Sequence, residues 1–282
     1  MMRRGFLVST LMVAGFVFLY LPILVMIVFS FNNSRLVTVW DSANSPTLKW
    51  YVALFQNEQI LRAAWLTVKI AAINATGAVF LGTLAGIAMA RFGRFRGRSL
   101  LAGMCTAPLV MPEVVTGFSM LLLFVAMEQL LGWPKGRGML TIIIAHITFS
   151  MAYVTVVVQS RLASFDESLE EAAMDLGARP AKVFARITLP LISPALVSGW
   201  LLAFTLSWDD VVISQFVAGP GSTTLPVLIF SKVRLGVTPD VNALGTVMVL
   251  IVATGVIISV IWMKRAEKRR AHEIRMAEAG SS

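Results

Sequence analysis

Six apolar runs, roughly 6–31, 64–90, 100–127, 139–160, 194–217 and 242–263, constrain this chain more than any other feature. A helix of about 20 apolar residues crosses the hydrocarbon core of a bilayer. Over 282 residues the chain is 57% hydrophobic and only 14% charged, with a mean hydropathy of +0.79. The expectation is an all-α polytopic membrane protein with six transmembrane helices, forming one transmembrane domain over 1–282. Arg3 and Arg4 before the first run mimic the start of a signal peptide. That apolar stretch exceeds the usual length of about 7–15 residues and no A-x-A-like cleavage site follows, so it reads as an uncleaved first helix.

The net charge of +9 invites a nucleic-acid reading, but the positions of the charges argue against one. Sixteen of the 24 Lys and Arg residues fall on one side of the spans: the N-terminus, the 91–99 loop, the island around 161–193 and the tail 264–282. Seven fall on the other side, and Lys69 lies inside a span. Basic residues concentrate in cytoplasmic loops, so both termini, the island and the tail are expected in the cytoplasm. The excess then reports topology, with contact to anionic lipid as an addition. Cys105 is the single cysteine and excludes an intrachain disulfide or a cysteine-based metal site.

Within the spans, Gly82 and Gly86 form a G-x-x-x-G pair that suits close helix packing. The third run would make a straight helix of about 42 Å, too long for the bilayer, and Pro108 and Pro112 predict a kink or break in it. Glu113 follows directly. It reads either as a first-turn carboxylate of the outer half-helix or as a group facing a substrate path. His146 has no second ligand at metal spacing and reads as a hydrogen-bonded interior residue. Ser207-Trp208-Asp209-Asp210 puts two acids inside the fifth run, where an ionised Asp costs about 2.5–3.5 kcal/mol. Either one faces a path and the other pairs with a helix, or the helix unwinds there. Glu113 and Asp209 both lie some 20 Å up their helices at about 1.5 Å per residue. A shared depth favours a cation site lined by Glu113, Trp208, Asp209 and Asp210. Outside the spans, Trp50, Tyr51, Leu54 and Phe55 predict an interfacial helix, and Thr224 to Leu235 an amphipathic one.

Ser164 to Pro190 is a charged island between two runs. Ser164 with Glu167 predicts a capping box opening a helix. Leu169, Ala172, Ala173 and Leu176 make an apolar stripe, and Glu167, Glu171 and Asp175 an acidic one. Gly177 predicts a left-handed stop, Pro180 the start of a second short helix, and Pro190 the end of the unit. Val183, Phe184 and Ile187 are expected to point inward.

Glu171-Ala172-Ala173, Gly177, Ile187, Leu189 and Pro190 fill every position of the pattern EAA-x3-G-x9-I-x-L-P. This resembles the EAA loop of ABC importer permeases. Ala107-Pro108-Leu109-Val110-Met111-Pro112, Ser207-Trp208-Asp209-Asp210 and Thr224-Leu225-Pro226 extend the resemblance to the permeases of polyamine (putrescine and spermidine) importers. The chain departs from that family at Trp208, where leucine is usual, and at Glu113, where aspartate can stand. The resemblance implies a type I ABC importer permease fold in a bacterial inner membrane. It also implies a second homologous permease, two cytoplasmic ATPase subunits and a periplasmic substrate-binding protein, with 161–193 as the loop that docks on the ATPase.

No G-x-x-x-x-G-K-[ST] loop and no catalytic triad is apparent, so the chain is expected to be a transporter subunit without a cofactor, its ATPase a partner chain. An ion-coupled secondary transporter would use the same carboxylates, but no internal repeat is visible and the EAA pattern argues against it. A membrane scaffold would not need buried acids. A permease for another small solute stays open at this point.

Overall fold

The computed structural model describes residues 2–34, 36, 39–236 and 238–279, with side chains from Val8 to Arg265 apart from Met263. Arg35 and the side chains of Arg3, Arg4, Lys268, Arg269, Arg270 and Arg275, all counted in the charge asymmetry, lie outside the described residues. Among the described residues twelve α-helices run α1 Met2–Phe29, α2 Lys49–Gln56, α3 Glu58–Arg91, α4 Arg98–Val110, α5 Glu113–Leu131, α6 Met139–Ala163, α7 Ser168–Asp175, α8 Pro180–Val183, α9 Leu189–Trp208, α10 Val212–Val217, α11 Leu225–Leu235 and α12 Pro239–Ala279. The same residues contain no strand. Six of the described segments are long and apolar enough to cross a membrane: Val8–Phe29, Glu58–Arg91, Glu113–Leu131, Met139–Ala163, Pro180–Trp208 and Pro239–Trp262.

The helices fall into two compact units, 62–228 and the combination of 1–61 with 229–282. In the first unit α6 is the central element. It buries Ile142, Ala145, His146, Phe149, Val154 and Val158, among others. One apolar cluster joins it to α3, α5 and α10 through Ile70, Phe124, Ile213 and Val217. A second joins it to α3 and α9 through Ala75, Ala78, Ile192 and Ala203. The glycine pair packs α3 on α6. A Cβ at Gly82 would lie 2.8 Å from Val154 Cβ and 2.9 Å from the carbonyl oxygen of Met151, and one at Gly86 3.1 Å from Val158. Small residues here let the two backbones approach, which is the main source of helix attraction in lipid.

In the second unit, α1 and α2 pack on α12. The aromatic residues of α2 turn back onto the end of α1. Trp50 Nε1 donates to the Asn32 carbonyl at 2.7 Å, and the Tyr51 hydroxyl meets Ser30 Oγ at 2.6 Å. Phe55 remains 69% exposed, as a residue at an interface can be. Lys232 of α11 pairs with Asp240 of α12 at 2.8 Å.

The third run breaks where Pro112 predicts. Met111 and Pro112 are extended at ψ 137°, α4 stops at Val110, and α5 starts at Glu113. The fifth run differs from the expectation at both ends. Pro190 does not end the island but lies in the first turn of α9, and α8 runs into α9 through a π-helical turn at Phe184–Thr188. Widening the turn moves the Leu189 N–H onto the Phe184 carbonyl, so the missing N–H of Pro190 costs no break. At its other end the run unwinds: α9 stops at Trp208 and α10 begins at Val212.

Candidate functional site: the α9–α10 break and the coupling loop

The break after Trp208 leaves the end of α9 and the start of α10 with backbone groups to satisfy. Asp210 does this for α10: its Oδ1 accepts the Ile213 N–H at 3.1 Å and its Oδ2 the Ser214 N–H at 2.7 Å. Its side chain is only 7% exposed. His146 of α6, 2% exposed, approaches Asp210 Oδ2 through Nε2 at 3.1 Å and Ser214 Oγ at 3.2 Å, while its Nδ1 meets Ser207 Oγ at 2.7 Å. The histidine thus bridges the last turn of α9 and the first turn of α10. It is the hydrogen-bonded interior residue expected from its isolation among metal-ligating types. Its partner Asp210 lies 64 positions away, and no local spacing pointed to it.

Asp209 caps the C-terminal end of α9 through its backbone N–H, bonded to the Thr205 carbonyl at 3.2 Å, and the residue is exposed. Glu113, first residue of α5, is exposed too and lies close enough for the charges of Asp210 and Asp209 to act on it. The structure therefore brings Glu113, Asp209 and Asp210 together. Trp208 is buried at 3% exposure and stacks on Phe204, rings 5.8 Å apart and 18° from parallel. Two exposed carboxylates beside a buried, fully hydrogen-bonded third can attract a cation without holding it in a cage. Among the described residues no group of His, Cys, Asp and Glu is arranged to hold a metal ion.

The second site is the island. Ser164 does not cap it. Its hydroxyl donates to the Arg161 carbonyl at 2.8 Å, at the end of α6, and α7 begins only at Ser168. Glu167 stands at the N-cap of α7 without a side-chain cap bond. Just before it, Asp166 accepts the N–H of Ser168, the first residue of α7, at 3.0 Å, and this bond holds its carboxyl below the usual carboxylate range. Gly177 adopts φ +84°, with the Ala178 N–H returning to the Ala173 carbonyl at 3.1 Å, the left-handed stop expected. Pro180 opens α8.

The loop is tied to the end of α3 by Arg91. Its guanidinium pairs with Glu167, approaches Glu170 Oε2 at 3.6 Å and lies 5.8 Å from the Phe165 ring. Glu170 in turn accepts the Thr188 hydroxyl at 2.6 Å. Glu167 therefore has its partner within the chain, whereas Glu171 and Asp175 of the same acidic stripe stay exposed. The apolar stripe also faces out: Leu169 is 51% exposed, Leu176 89%, Met174 beside them 44%. Of the pattern residues, Glu171, Ala172, Gly177, Leu189 and Pro190 are exposed, and Ala173 and Ile187 half-buried. Val183 points inward as expected, but Phe184 is 38% exposed. A pocket of about 150 Å³ opens beneath, between Ile87 and Leu162 on one side and Met174 and Phe184 on the other. Arg91, Glu170 and Thr188 carry no motif of their own. An arginine closing a span opposite an acid-rich loop is the one sequence signal that could have found them.

Residues 82–272 match the family described as the binding-protein-dependent transport system inner membrane component. The chain is 54% identical over 272 residues, covering 96% of it and 95% of the relative, to the putrescine transport system permease protein PotI of Escherichia coli K12. It is 42% identical over 258 residues to the spermidine/putrescine transport system permease protein PotC of Haemophilus influenzae, covering 92% of this chain and 96% of that one. Among solved structures, a bacterial ABC transporter involved in import of the acidic polysaccharide alginate superposes with a TM-score of 0.67 at 17% identity, covering 93% of this chain and 95% of that one. The inward-facing MetNI methionine ABC transporter superposes with a TM-score of 0.61 at 15% identity, covering 73% and 95%. The fold is that of type I ABC importer permeases, and the chain belongs to the family of inner membrane components of binding-protein-dependent transport systems.

Proposed function

We propose that this chain is the permease subunit of an ATP-driven polyamine importer, with putrescine as its substrate. The observation that carries the reading is the 54% identity to a putrescine permease over nearly the whole of both chains. Spermidine/putrescine permeases at 42% support the same substrate class. ATP is hydrolysed by a partner ATPase, and a second permease and a substrate-binding protein complete the importer, the arrangement in which ABC importer permeases work.

In this reading both termini, the loop 161–193 and the tail 264–282 face the cytoplasm of a bacterium, with the six helices in the inner membrane. The exposed face of α7, with Glu171, Ala172 and Leu176, docks on the ATPase; Gly177 shapes its end, and Ile187, Leu189 and Pro190 join it to α9. Motion of the ATPase moves the loop and α9, and the path alternates between the two sides. A polycation passes the break after α9, where Glu113 and Asp209 present exposed carboxylates and Trp208 and Asp210 form the buried back of the site. Such a site attracts the substrate weakly, which lets it leave.

The test is uptake of radiolabelled putrescine by proteoliposomes holding the assembled importer, with wild type or Glu171→Lys. Putrescine uptake that requires ATP and the binding protein, and is lost with the ATPase in Glu171→Lys, is expected. ATP-independent uptake by this chain alone would overturn the reading in favour of a secondary transporter.

A further inference from the structure

Three acids gather at the α9–α10 break, yet they are not equivalent. Glu113 and Asp209 are exposed, and among the described residues neither side chain makes a hydrogen bond or ion pair to another residue, whereas both oxygens of Asp210 are engaged. Asp210 accepts two backbone N–H groups of α10 and faces the imidazole of His146, whose other nitrogen meets Ser207 of α9. A buried carboxylate with three donors has little left to give a passing cation, and removing the His146 donor leaves the buried charge held by two backbone N–H groups.

We propose that His146 is a positioning residue that reserves Asp210 for the framework of the α9–α10 break, so that Asp209 and Glu113 alone meet the substrate cation. This rests on the polyamine-path reading above. The physical logic is a division of labour. Helix α9 must end at Trp208 for Asp209 to leave the helix surface. An unwound backbone in lipid survives only if its polar groups are satisfied within the protein. Asp210 satisfies the backbone N–H groups of α10, and His146 of α6 spans the gap by bonding side chains on both sides of it, Ser207 on α9 and Asp210 and Ser214 on the other. Loss of the bridge lets the break shift, which slows the whole cycle. Loss of a substrate-facing carboxylate leaves the cycle running but with less cargo.

The experiment uses the complete importer in proteoliposomes with radiolabelled putrescine and measures uptake and binding-protein-stimulated ATP hydrolysis in the same preparations. Asp209→Asn is expected to lower putrescine carried per ATP by about tenfold, the loss of one charge-assisted contact. In Asp210→Asn, which keeps the shape and the acceptor oxygen, uptake and hydrolysis should fall together, their ratio within about twofold of wild type. His146→Gln should behave alike, and the double variant should be no worse than the poorer single one, because both break the same bridge. A ratio that collapses in Asp210→Asn as it does in Asp209→Asn overturns the assignment while leaving the path reading intact. An unchanged ratio in Asp209→Asn overturns the path reading, and this assignment with it. If His146→Gln does not assemble, the ratio in the isosteric Asp210→Asn decides by itself.

Discussion

Replacing Arg91 by glutamine should detach the coupling loop from α3 without unfolding the bundle. Arg91 is 15% exposed on its side chain, Glu167 62% and Glu170 18%. The Glu167 pair stands largely in water and contributes about 0.2–1 kcal/mol. The Glu170 contact is longer, at 3.6 Å, but drier. Its gross attraction is about 4–5 kcal/mol at an effective dielectric of 20. Most of that is offset by desolvation of both ions. A hydrogen bond to a charged group nets about 1.5–3 kcal/mol, and glutamine keeps part of it. The loss is then about 1–2 kcal/mol, which raises local opening by roughly 5–30-fold. Hydrogen exchange of the amides of 168–178 in detergent or nanodiscs reads this directly, with α6 amides from 141–158 as the internal reference. Glu170→Gln should give a similar acceleration, and the double variant less than the sum, since one contact is shared. Exchange in 168–178 unchanged in Arg91→Gln, or accelerated equally in α6, would refute the latch.

Two further outcomes follow from the packing and the caps. Gly82→Ala should lower the melting midpoint of the detergent-solubilised chain, because the new methyl meets Met151 backbone that cannot rotate away. Overpacking of this kind costs about 1–3 kcal/mol, and Gly86→Ala, whose Cβ has 3.1 Å or more to its neighbours, should cost less; tryptophan-fluorescence melts rank the two. Asp166 titrates below the usual carboxylate range because the Ser168 N–H bonds its charged form. A depressed folded value stabilises α7 fully at neutral pH and loses that support only as pH falls through the folded value, so α7 helicity should be flat from pH 8 to about 5 and decline below about 4. Asp166→Ala should remove that acid step in helicity.

Much of this was legible along the chain. The first, second, fourth and sixth apolar runs, Pro112 within an overlong run and Gly177 after the last apolar position each act through the local backbone, and each stands where expected, whereas the third and fifth membrane-length segments shift to Glu113–Leu131 and Pro180–Trp208. The EAA spacing led to the family for the same reason: a docking loop is short and contiguous. The features that differ are competitions between neighbours. Ser164 suits an N-cap, but it stands at the C-cap of α6, where its hydroxyl donates to the Arg161 carbonyl, and α7 starts four residues later. Pro190 is a helix stop only where a regular α-turn must continue, and a π turn removes that condition.

The order of residues alone dictates how many segments are apolar enough to cross the bilayer, where α5 begins, and that two adjacent acids lie within the fifth apolar run. What those acids do is decided by tertiary packing. Asp209 and Asp210 are adjacent and chemically identical, yet one is exposed and the other saturated by His146, Ile213 and Ser214. The same holds for the acidic stripe, where Arg91 claims Glu167 and leaves Glu171 and Asp175 free to face outward. The reason is physical. Burying a charge is costly unless a partner meets it. That partner is brought by the packing of α6 and α3 against these segments, from positions 64 and 76 residues away.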